Sequence, residues 1–137
     1  MKPLLVVAGL SVMLLGLFPA QRGDAASLPT ASPVPAVLDL AEFDRLRSQT
    51  NCLVVDVRTP GEFASGHVPG ALNIDWNSTD FEAKAGQLDK GRTLLVYCAS
   101  GNRSARAVKR LRELGFTNLG EFKGGWNAWK RARKPVE

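Results

Sequence analysis

Short apolar runs alternate with segments of helical spacing along this chain of 137 residues. Continuous runs of apolar and β-branched residues are typical of strands that are buried on both faces. Such runs predict strands at 52–57, 71–74, 93–97 and 119–122. Helical spacing predicts helices at 38–46, 80–88, 104–114 and 126–133, and a further short helix begins at Pro60. Because strands and helices alternate, we expect an α/β fold with a central parallel sheet and helices on both faces.

The amino-terminal segment has the composition of a targeting sequence. A basic start at Met1-Lys2 precedes the uncharged apolar stretch 4–18, and small residues at 23–25 suit cleavage by a signal peptidase. The apolar stretch is shorter than the roughly 20 residues that a membrane span needs. We therefore expect a cleaved signal peptide at 1–26, with a retained anchor as the alternative. The mature protein is then exported, to the periplasm, without stable membrane insertion.

The rest of the chain has room for one small domain. A stretch rich in Pro, Ser and Ala at 27–37 predicts a flexible lead-in, and residues 38–134 form the domain. The formal net charge of +5 suits a solvated basic surface with a mild attraction for small anions. We expect no nucleic-acid partner, because no dense basic patch carries interleaved aromatic residues. One histidine and two distant cysteines do not make a zinc site, so we expect no metal and no cofactor.

The two cysteines fall at different ends of their predicted strands. Cys52 opens an apolar run and Cys98 follows one, so in a parallel sheet they lie on opposite edges. A strand of about six residues spans roughly 20 Å, whereas a disulfide needs Cα atoms within about 7 Å. We expect Cys52 to be a small buried residue and Cys98 to be a free thiol.

The loop after the strand at 93–97 carries the candidate chemistry. Cys98 lies where this buried strand ends and a helix begins. Backbone N–H groups of such a turn point inward and form an anion-binding cradle, and the helix N-terminus stabilises a thiolate over a thiol. Arg103 adds a positive charge that does not titrate near neutral pH. The loop therefore predicts a reactive, ionised cysteine at the rim of the sheet, facing an anionic substrate rather than buried in the interior.

Four stretches, in order, resemble the signatures of the rhodanese (thiosulfate sulfurtransferase) family. The loop Cys98-Ala99-Ser100-Gly101-Asn102-Arg103-Ser104 is similar to its active-site loop. The other three stretches are Asp56-Val57-Arg58 with Glu62-Phe63, Gly66 to Ile74, and Gly124-Gly125-Trp126 with Trp129. Together they cover about residues 38–130. The resemblance implies a single-domain, exported member with the three-layer rhodanese-like fold.

The resemblance implies sulfur transfer through a covalent intermediate. The Cys98 thiolate would attack the outer sulfur of thiosulfate, release sulfite, and pass the resulting persulfide sulfur to a thiol or to cyanide. Backbone N–H groups of residues 99–103 would stabilise the charge of that sulfur. We expect Arg103 to bind the sulfonate end of the donor and to lower the pKa of the thiol. The implied partners are a small anionic sulfur donor and a thiol acceptor.

Two other functions stay open. One is a sulfur-carrying or binding module that serves a single protein partner, which an intact loop does not exclude. The other is a phosphatase or arsenate reductase. Those relatives carry one more residue between the loop cysteine and arginine, whereas four separate Cys98 from Arg103 here. The shorter loop favours the sulfurtransferase.

Arg58 follows a predicted central strand on the same edge of the sheet as Cys98, so it is also a candidate substrate-binding residue. Its spacing favours pairing with Glu62 across a helical turn, with contact to the donor as the alternative. His67, the only histidine, lies in a Gly-His-Val-Pro-Gly turn that the resemblance marks as structural.

Two tryptophans lie in the last predicted helix. Trp126 and Trp129 are three residues apart and share one helical face, which predicts core packing rather than ligand stacking. The glycines at 124 and 125 are expected to permit a turn near the mouth of the site.

Overall fold

A sheet of five parallel strands forms the centre of the domain. The computed structural model describes residues 34–137, so the predicted signal peptide and lead-in residues 27–33 lie outside the described residues. The strands are β1 (Val37–Leu38), β2 (Cys52–Asp56), β3 (Leu72–Asn73), β4 (Thr93–Tyr97) and β5 (Leu119–Phe122). Their spatial order is β1-β5-β4-β2-β3. Within the described range, no helix has the length and apolar character to cross a membrane.

Helices cover both faces of the sheet. They are α1 (Leu40–Arg47), α2 (Pro60–Ala64), α3 (Phe81–Ala85), α4 (Asn102–Glu113) and α5 (Gly125–Arg131). Successive side chains of a strand point to opposite faces. In β4, Leu94 and Val96 therefore join the core cluster that contains residues of α3 and α4. Leu95 and Tyr97 join the cluster that contains residues of α1 and α5. The predicted three-layer α/β fold is confirmed.

Local capping explains where the first two helices begin. The Asp39 carboxylate accepts a hydrogen bond of 2.8 Å from the Glu42 amide, which satisfies a free N–H group at the start of α1. At α2, Thr59 and Glu62 form a reciprocal capping box, and Pro60 occupies the first turn. Both helices begin close to the positions that the sequence predicts.

The two ends of the described chain add contacts that the sequence pattern does not indicate. Val37 falls in the predicted flexible lead-in, yet it pairs with Glu121 as part of β1. A strand of two residues is too short to show a hydrophobic period, so the pattern cannot reveal it. At the other end, the backbone groups of Glu137 and His67 exchange hydrogen bonds of 3.0 and 3.1 Å. The packed structure thus extends past the predicted boundary at residue 134.

Candidate active site

The candidate site is the loop that joins β4 to α4 at the carboxyl edge of the sheet. Cys98 follows the last residue of β4 directly, and the helix starts at Asn102. Gly101 precedes the helix with a φ of 101°, a left-handed conformation that favours glycine. A Cβ atom at this position would lie 3.0 Å from the Lys123 carbonyl oxygen. A side chain at 101 would therefore strain the tight turn that surrounds the thiol.

The Cys98 sulfur is surrounded by hydrogen-bonding groups of the loop. The Gly101 amide donates to Sγ at 3.1 Å, and Sγ lies 3.4 Å from the Ser104 hydroxyl. Burial raises the pKa of the Cys98 thiol. Hydrogen bonds from the Ser104 hydroxyl and from the amides of Ser104, Gly101 and Ser100 outweigh burial, so that the pKa is lowered overall. Of the amides at 99–103 that the sequence predicts around the thiol, the structure brings those of Gly101 and Ser100 to the sulfur, together with the amide of Ser104.

The exposure of the thiol differs from expectation. Cys98 is only 1% exposed and packs in the core cluster on the α4 side of the sheet, whereas the sequence predicts a thiol that faces the substrate. The physical reason is that Sγ points into the turn, towards the Gly101 amide and Ser104. The loop residues 99–102 are themselves partly or fully exposed. The thiol therefore lies just beneath the surface, covered by the loop.

Ser104 connects the thiol to a buried carboxylate. Its hydroxyl donates a hydrogen bond of 3.1 Å to Glu121 Oε1, and the Cys98 thiol in turn donates to that hydroxyl. Ser104 is fully buried and Glu121 is 6% exposed. The sequence analysis included Ser104 in the loop signature without a role and did not single out Glu121. The available signal was a single charged residue inside the otherwise apolar strand β5.

Arg103 is bound to Glu62 of α2. Its two terminal nitrogens contact the Glu62 carboxylate oxygens at 2.7 and 3.1 Å, a bidentate ion pair. The Arg103 hydrogen bond lowers the pKa of Glu62, burial opposes it, and the Thr59 amide and hydroxyl add to the lowering, which brings the pKa to about 2. Both terminal nitrogens of the Arg103 guanidinium are thus engaged within the protein, beside the loop.

The predicted pairing of Arg58 with Glu62 is wrong. Arg58 is 2% exposed, and its Nη2 lies 2.7 Å from Asp56 Oδ2 and 2.8 Å from the Gly66 carbonyl oxygen. Asp56 is the better partner because it ends β2 only two residues earlier and is fully buried, so an ion pair offsets the cost of burying both charges. Its Nε and Nη2 are thus engaged inside the protein, and none of the hydrogen bonds found within residues 34–137 uses Nη1.

Tyr97 completes this buried group next to the loop. Its hydroxyl donates to Asp56 Oδ2 at 2.7 Å and accepts from the Val68 amide at 3.1 Å. Burial, then the charge of Asp56, raise the pKa of Tyr97 far above its ordinary value. As Tyr97 immediately precedes Cys98, these hydrogen bonds hold the backbone from which the loop departs.

The start of α5 is attached to the loop from the other side. The Trp126 amide donates to the Cys98 carbonyl at 2.8 Å, and the Asn127 amide donates to the Ala99 carbonyl at 3.2 Å. Gly125 has a φ of 58°, and a Cβ atom there would lie 2.4 Å from the Cys98 carbonyl oxygen. The expected turn at 124–125 is therefore a close contact between α5 and the loop, which requires glycine.

The histidine and the tryptophans have structural positions. The His67 ring stacks on Phe63 with centroids 3.7 Å apart, and its Nδ1 lies 3.0 Å from the Phe63 carbonyl oxygen. Trp129 is fully buried and Trp126 is 8% exposed, as core packing requires. Cys52 and Cys98 are both free, as predicted.

Comparison with known proteins agrees with this architecture. A family model for the rhodanese-like domain matches residues 39–132. The thiosulfate sulfurtransferase GlpE of Pseudomonas putida is 39% identical over 93 residues, which are 67% of this chain and 81% of that protein. The thiosulfate:glutathione sulfurtransferase of Saccharomyces cerevisiae is 32% identical over 90 residues, which are 58% of this chain and 65% of that protein.

A solved structure has the same fold. The crystal structure of a rhodanese-related protein from Thermoplasma volcanium matches with a TM-score of 0.64 and 30% identity, and the match covers 74% of this chain and 96% of that one. The chain belongs to the rhodanese-like domain family. Its relatives include sulfurtransferases, so the family supports sulfur transfer as the general class of activity.

Proposed function

We propose that this protein is a thiosulfate sulfurtransferase that carries sulfur as a persulfide on Cys98. The observation that carries the proposal is the environment of Sγ, where loop amides and the Ser104 hydroxyl lower the pKa of the thiol despite its burial. A thiolate is the nucleophilic form of cysteine, and amides that surround it also stabilise the anionic terminal sulfur of a persulfide.

The reaction divides into two displacements at sulfur. The Cys98 thiolate attacks the outer sulfur of thiosulfate, a bond forms between the two sulfurs, and the bond to the sulfonate sulfur breaks. Sulfite leaves with that electron pair, and the enzyme holds an anionic persulfide. An acceptor thiolate then attacks the outer sulfur, and the Cys98 thiolate leaves with its electron pair. Each step conserves charge and needs no oxidant, reductant or metal.

The donor must approach a thiol that is 1% exposed. We propose that Asn102 and its loop neighbours yield to the donor, since residues 99–102 are partly or fully exposed. Arg103 provides positive charge beside the loop while it stays bound to Glu62. In this proposal Arg103 attracts the sulfonate group electrostatically, and its positive charge adds to the hydrogen bonds that stabilise the thiolate.

The acceptor is proposed to be a small thiol. The yeast relative is named for transfer from thiosulfate to glutathione, which supports a thiol of this size as acceptor. A dedicated protein partner that receives the sulfur is the alternative. The two alternatives predict different results with a small thiol alone. A small-thiol acceptor removes the outer sulfur of the persulfide without any other protein, whereas a dedicated partner is needed in the second case.

Intact mass spectrometry after treatment with thiosulfate tests the proposal. We expect the wild type and Cys52→Ser, the matched control, to gain the mass of one sulfur atom, and Cys98→Ser to gain none. Addition of glutathione should then remove the extra mass and release glutathione persulfide. Absence of the added sulfur on wild-type protein, or its presence on Cys98→Ser, would refute the assignment. Hydrolysis of a phosphate ester without sulfur transfer would favour the phosphatase alternative.

We also propose that the protein is exported, on the basis of the apolar stretch 4–18 and the small residues that follow it. Fractionation of expressing bacteria and amino-terminal sequencing of the product test this. We expect periplasmic protein that begins near Ala26 or Ser27, and cytoplasmic protein of full length would contradict the proposal.

A further inference from the structure

Two lysines without carboxylate partners lie on the α5 side of the active-site loop. Lys123, in the turn between β5 and α5, and Lys130, within α5, are both exposed. None of the ion pairs formed within residues 34–137 includes either of them. On the α2 side of the loop, by contrast, Arg103 is already bound to Glu62. The ammonium groups on the α5 side are therefore available to an anionic ligand.

Lys123 belongs to the backbone that touches the loop. A Cβ atom at Gly101 would lie 3.0 Å from the Lys123 carbonyl oxygen and 3.7 Å from its Cα atom. The Gly101 amide in turn donates a hydrogen bond of 3.1 Å to Cys98 Sγ. One residue thus separates the Lys123 backbone from the sulfur, and the flexible four-carbon stem of a lysine is long enough to bring its ammonium group to the rim of the loop.

Lys130 is connected to the loop through α5. The Asn127 amide donates to the Ala99 carbonyl at 3.2 Å. Lys130 follows Asn127 by three residues, so the two side chains are neighbours on the helix surface. The Lys130 Nζ atom also lies 5.9 Å from the centre of the Trp126 ring, and the Trp126 amide donates to the Cys98 carbonyl. Lys130 therefore lies about one helical turn beyond the loop.

The distance of these charges from the thiol distinguishes the two substrates of the proposed reaction. In thiosulfate, the sulfonate group is bonded directly to the sulfur that Cys98 attacks, so its charge lies beside the loop. A thiol acceptor can instead carry carboxylates several bonds away from its sulfur. Such carboxylates can form charge-assisted hydrogen bonds with ammonium groups that lie outside the loop. The α5 side therefore suits the acceptor better than the donor.

We propose that Lys123 and Lys130 bind the carboxylates of the thiol that receives the persulfide sulfur. This inference rests on the proposed function and specifies the acceptor as a thiol with carboxylates remote from its sulfur, the class to which glutathione belongs. The acceptor thiolate attacks the outer sulfur of the Cys98 persulfide and forms a bond to it. The bond between that sulfur and Cys98 breaks, and the Cys98 thiolate leaves with the electron pair. The lysines do not touch the reacting atoms and determine specificity.

Discharge of the persulfide by two thiols tests this inference. Glutathione has carboxylates far from its sulfur, whereas the carboxylate of mercaptoacetate is close to its sulfur, and both thiols have the same net charge at neutral pH. Mass spectrometry follows the loss of sulfur from thiosulfate-loaded protein in a Cys52→Ser background. We expect the double variant Lys123→Gln, Lys130→Gln to lower the ratio of the two rate constants, glutathione over mercaptoacetate, about 3- to 10-fold, as the loss of two exposed ion pairs would.

A matched control separates contact with the lysines from an effect of total charge. Lys90 precedes β4 at the amino edge of the sheet, and Lys109 lies in the middle of α4; both are exposed. The double variant Lys90→Gln, Lys109→Gln removes the same charge and should keep the wild-type ratio. The proposal is overturned if Lys123→Gln, Lys130→Gln also keeps that ratio, or if glutathione does not discharge the loaded wild type.

A second measurement needs no sulfur transfer. The Cys98 thiolate attacks glutathione disulfide, a mixed disulfide forms, and glutathione thiolate leaves. Bis(2-hydroxyethyl) disulfide reacts in the same way but has no carboxylates. We expect Lys123→Gln, Lys130→Gln to slow the first reaction relative to the second about 3- to 10-fold, and an unchanged ratio would overturn the proposal. If this ratio falls and thiosulfate adds no sulfur to the wild type, then the lysine site stands and the proposed activity fails.

Discussion

The contact between α5 and the loop predicts that Gly125→Ala damages both stability and activity. A methyl group at Gly125 would lie 2.4 Å from the Cys98 carbonyl oxygen and 2.8 Å from the Ala99 carbonyl oxygen. These atoms are backbone, so they cannot rotate away as the end of a flexible side chain could. The Cβ atom can fit only if α5 and the loop move apart, which lengthens the hydrogen bonds from the Trp126 and Asn127 amides.

Two costs set the size of the effect. Gly125 has a φ of 58°, and an alanine in this left-handed region costs about 1–2 kcal/mol. Forced overpacking adds about 1–3 kcal/mol. The free energy of unfolding should therefore fall by about 2–5 kcal/mol. Since 1 kcal/mol shifts the Tm of a domain of this size by about 4–8 °C, we expect a loss of at least about 8 °C.

Thermal unfolding and the rate of persulfide formation check this prediction together. Displacement of the Cys98 carbonyl moves the thiol relative to the amides that surround it, so we expect the rate to fall about 10- to 100-fold. Gly61→Ala is the matched control, because no atom lies within 4 Å of a Cβ there and its φ is not positive. The reasoning is refuted if Gly125→Ala has the Tm and rate of that control.

Three further predictions concern the two ion pairs and the buried phenol around the loop. Glu62→Gln should lower the free energy of unfolding by about 1 kcal/mol, because it breaks the ion pair with Arg103. The effect is small because that pair is partly exposed. The pKa of Glu62 is lowered from 4.5 to about 2, so the difference in free energy of unfolding between wild type and variant should be full above pH 4.5 and should vanish as pH falls through 2. Urea unfolding at a series of pH values measures this difference. Tyr97→Phe should lower the free energy of unfolding by about 1–3 kcal/mol, since it removes one donor from the buried Asp56 carboxylate and leaves the buried Val68 amide without its acceptor. The raised pKa of Tyr97 makes wild-type stability fall above about pH 10, which chemical denaturation of the phenylalanine variant should not show. Arg58→Met should cost about 3–5 kcal/mol by the same measurement, because Asp56 is left buried and unpaired.

Each of these variants has a result that would contradict its explanation. A difference for Glu62→Gln that persists at the lowest pH would mean that the ion pair is not its cause. Equal alkaline sensitivity of wild type and Tyr97→Phe would exclude the phenol as its source. Arg106→Met removes an exposed arginine from α4 and should be neutral. If Arg58→Met behaves like Arg106→Met, the buried ion pair does not stabilise the fold.

Local sequence patterns were sufficient for most elements. The apolar run at 93–97 coincides with β4, and the capping residues Asp39 and Thr59 mark the starts of α1 and α2. These features depend on neighbouring residues, so they can be read along the chain. The position of Cys98 between a strand and a helix follows from the same local signals.

The burial of Cys98 could not be predicted in this way. The pattern locates the thiol at the end of a strand, but its exposure depends on the direction of Sγ within the turn. That direction follows from the left-handed conformation at Gly101 and from the attachment of α5 to the loop. Neither contact has a signature in the spacing of apolar residues.

By itself, the sequence determined the order of strands and helices, the family signatures and the identity of the loop cysteine, because each depends on a short stretch of chain. Only the tertiary structure decided which polar and charged side chains meet. Glu62 is 41 residues from Arg103, and Ser104 is 17 residues from Glu121. These partners come together because β2 and β5 flank β4 in the sheet, and that arrangement is a property of the whole fold.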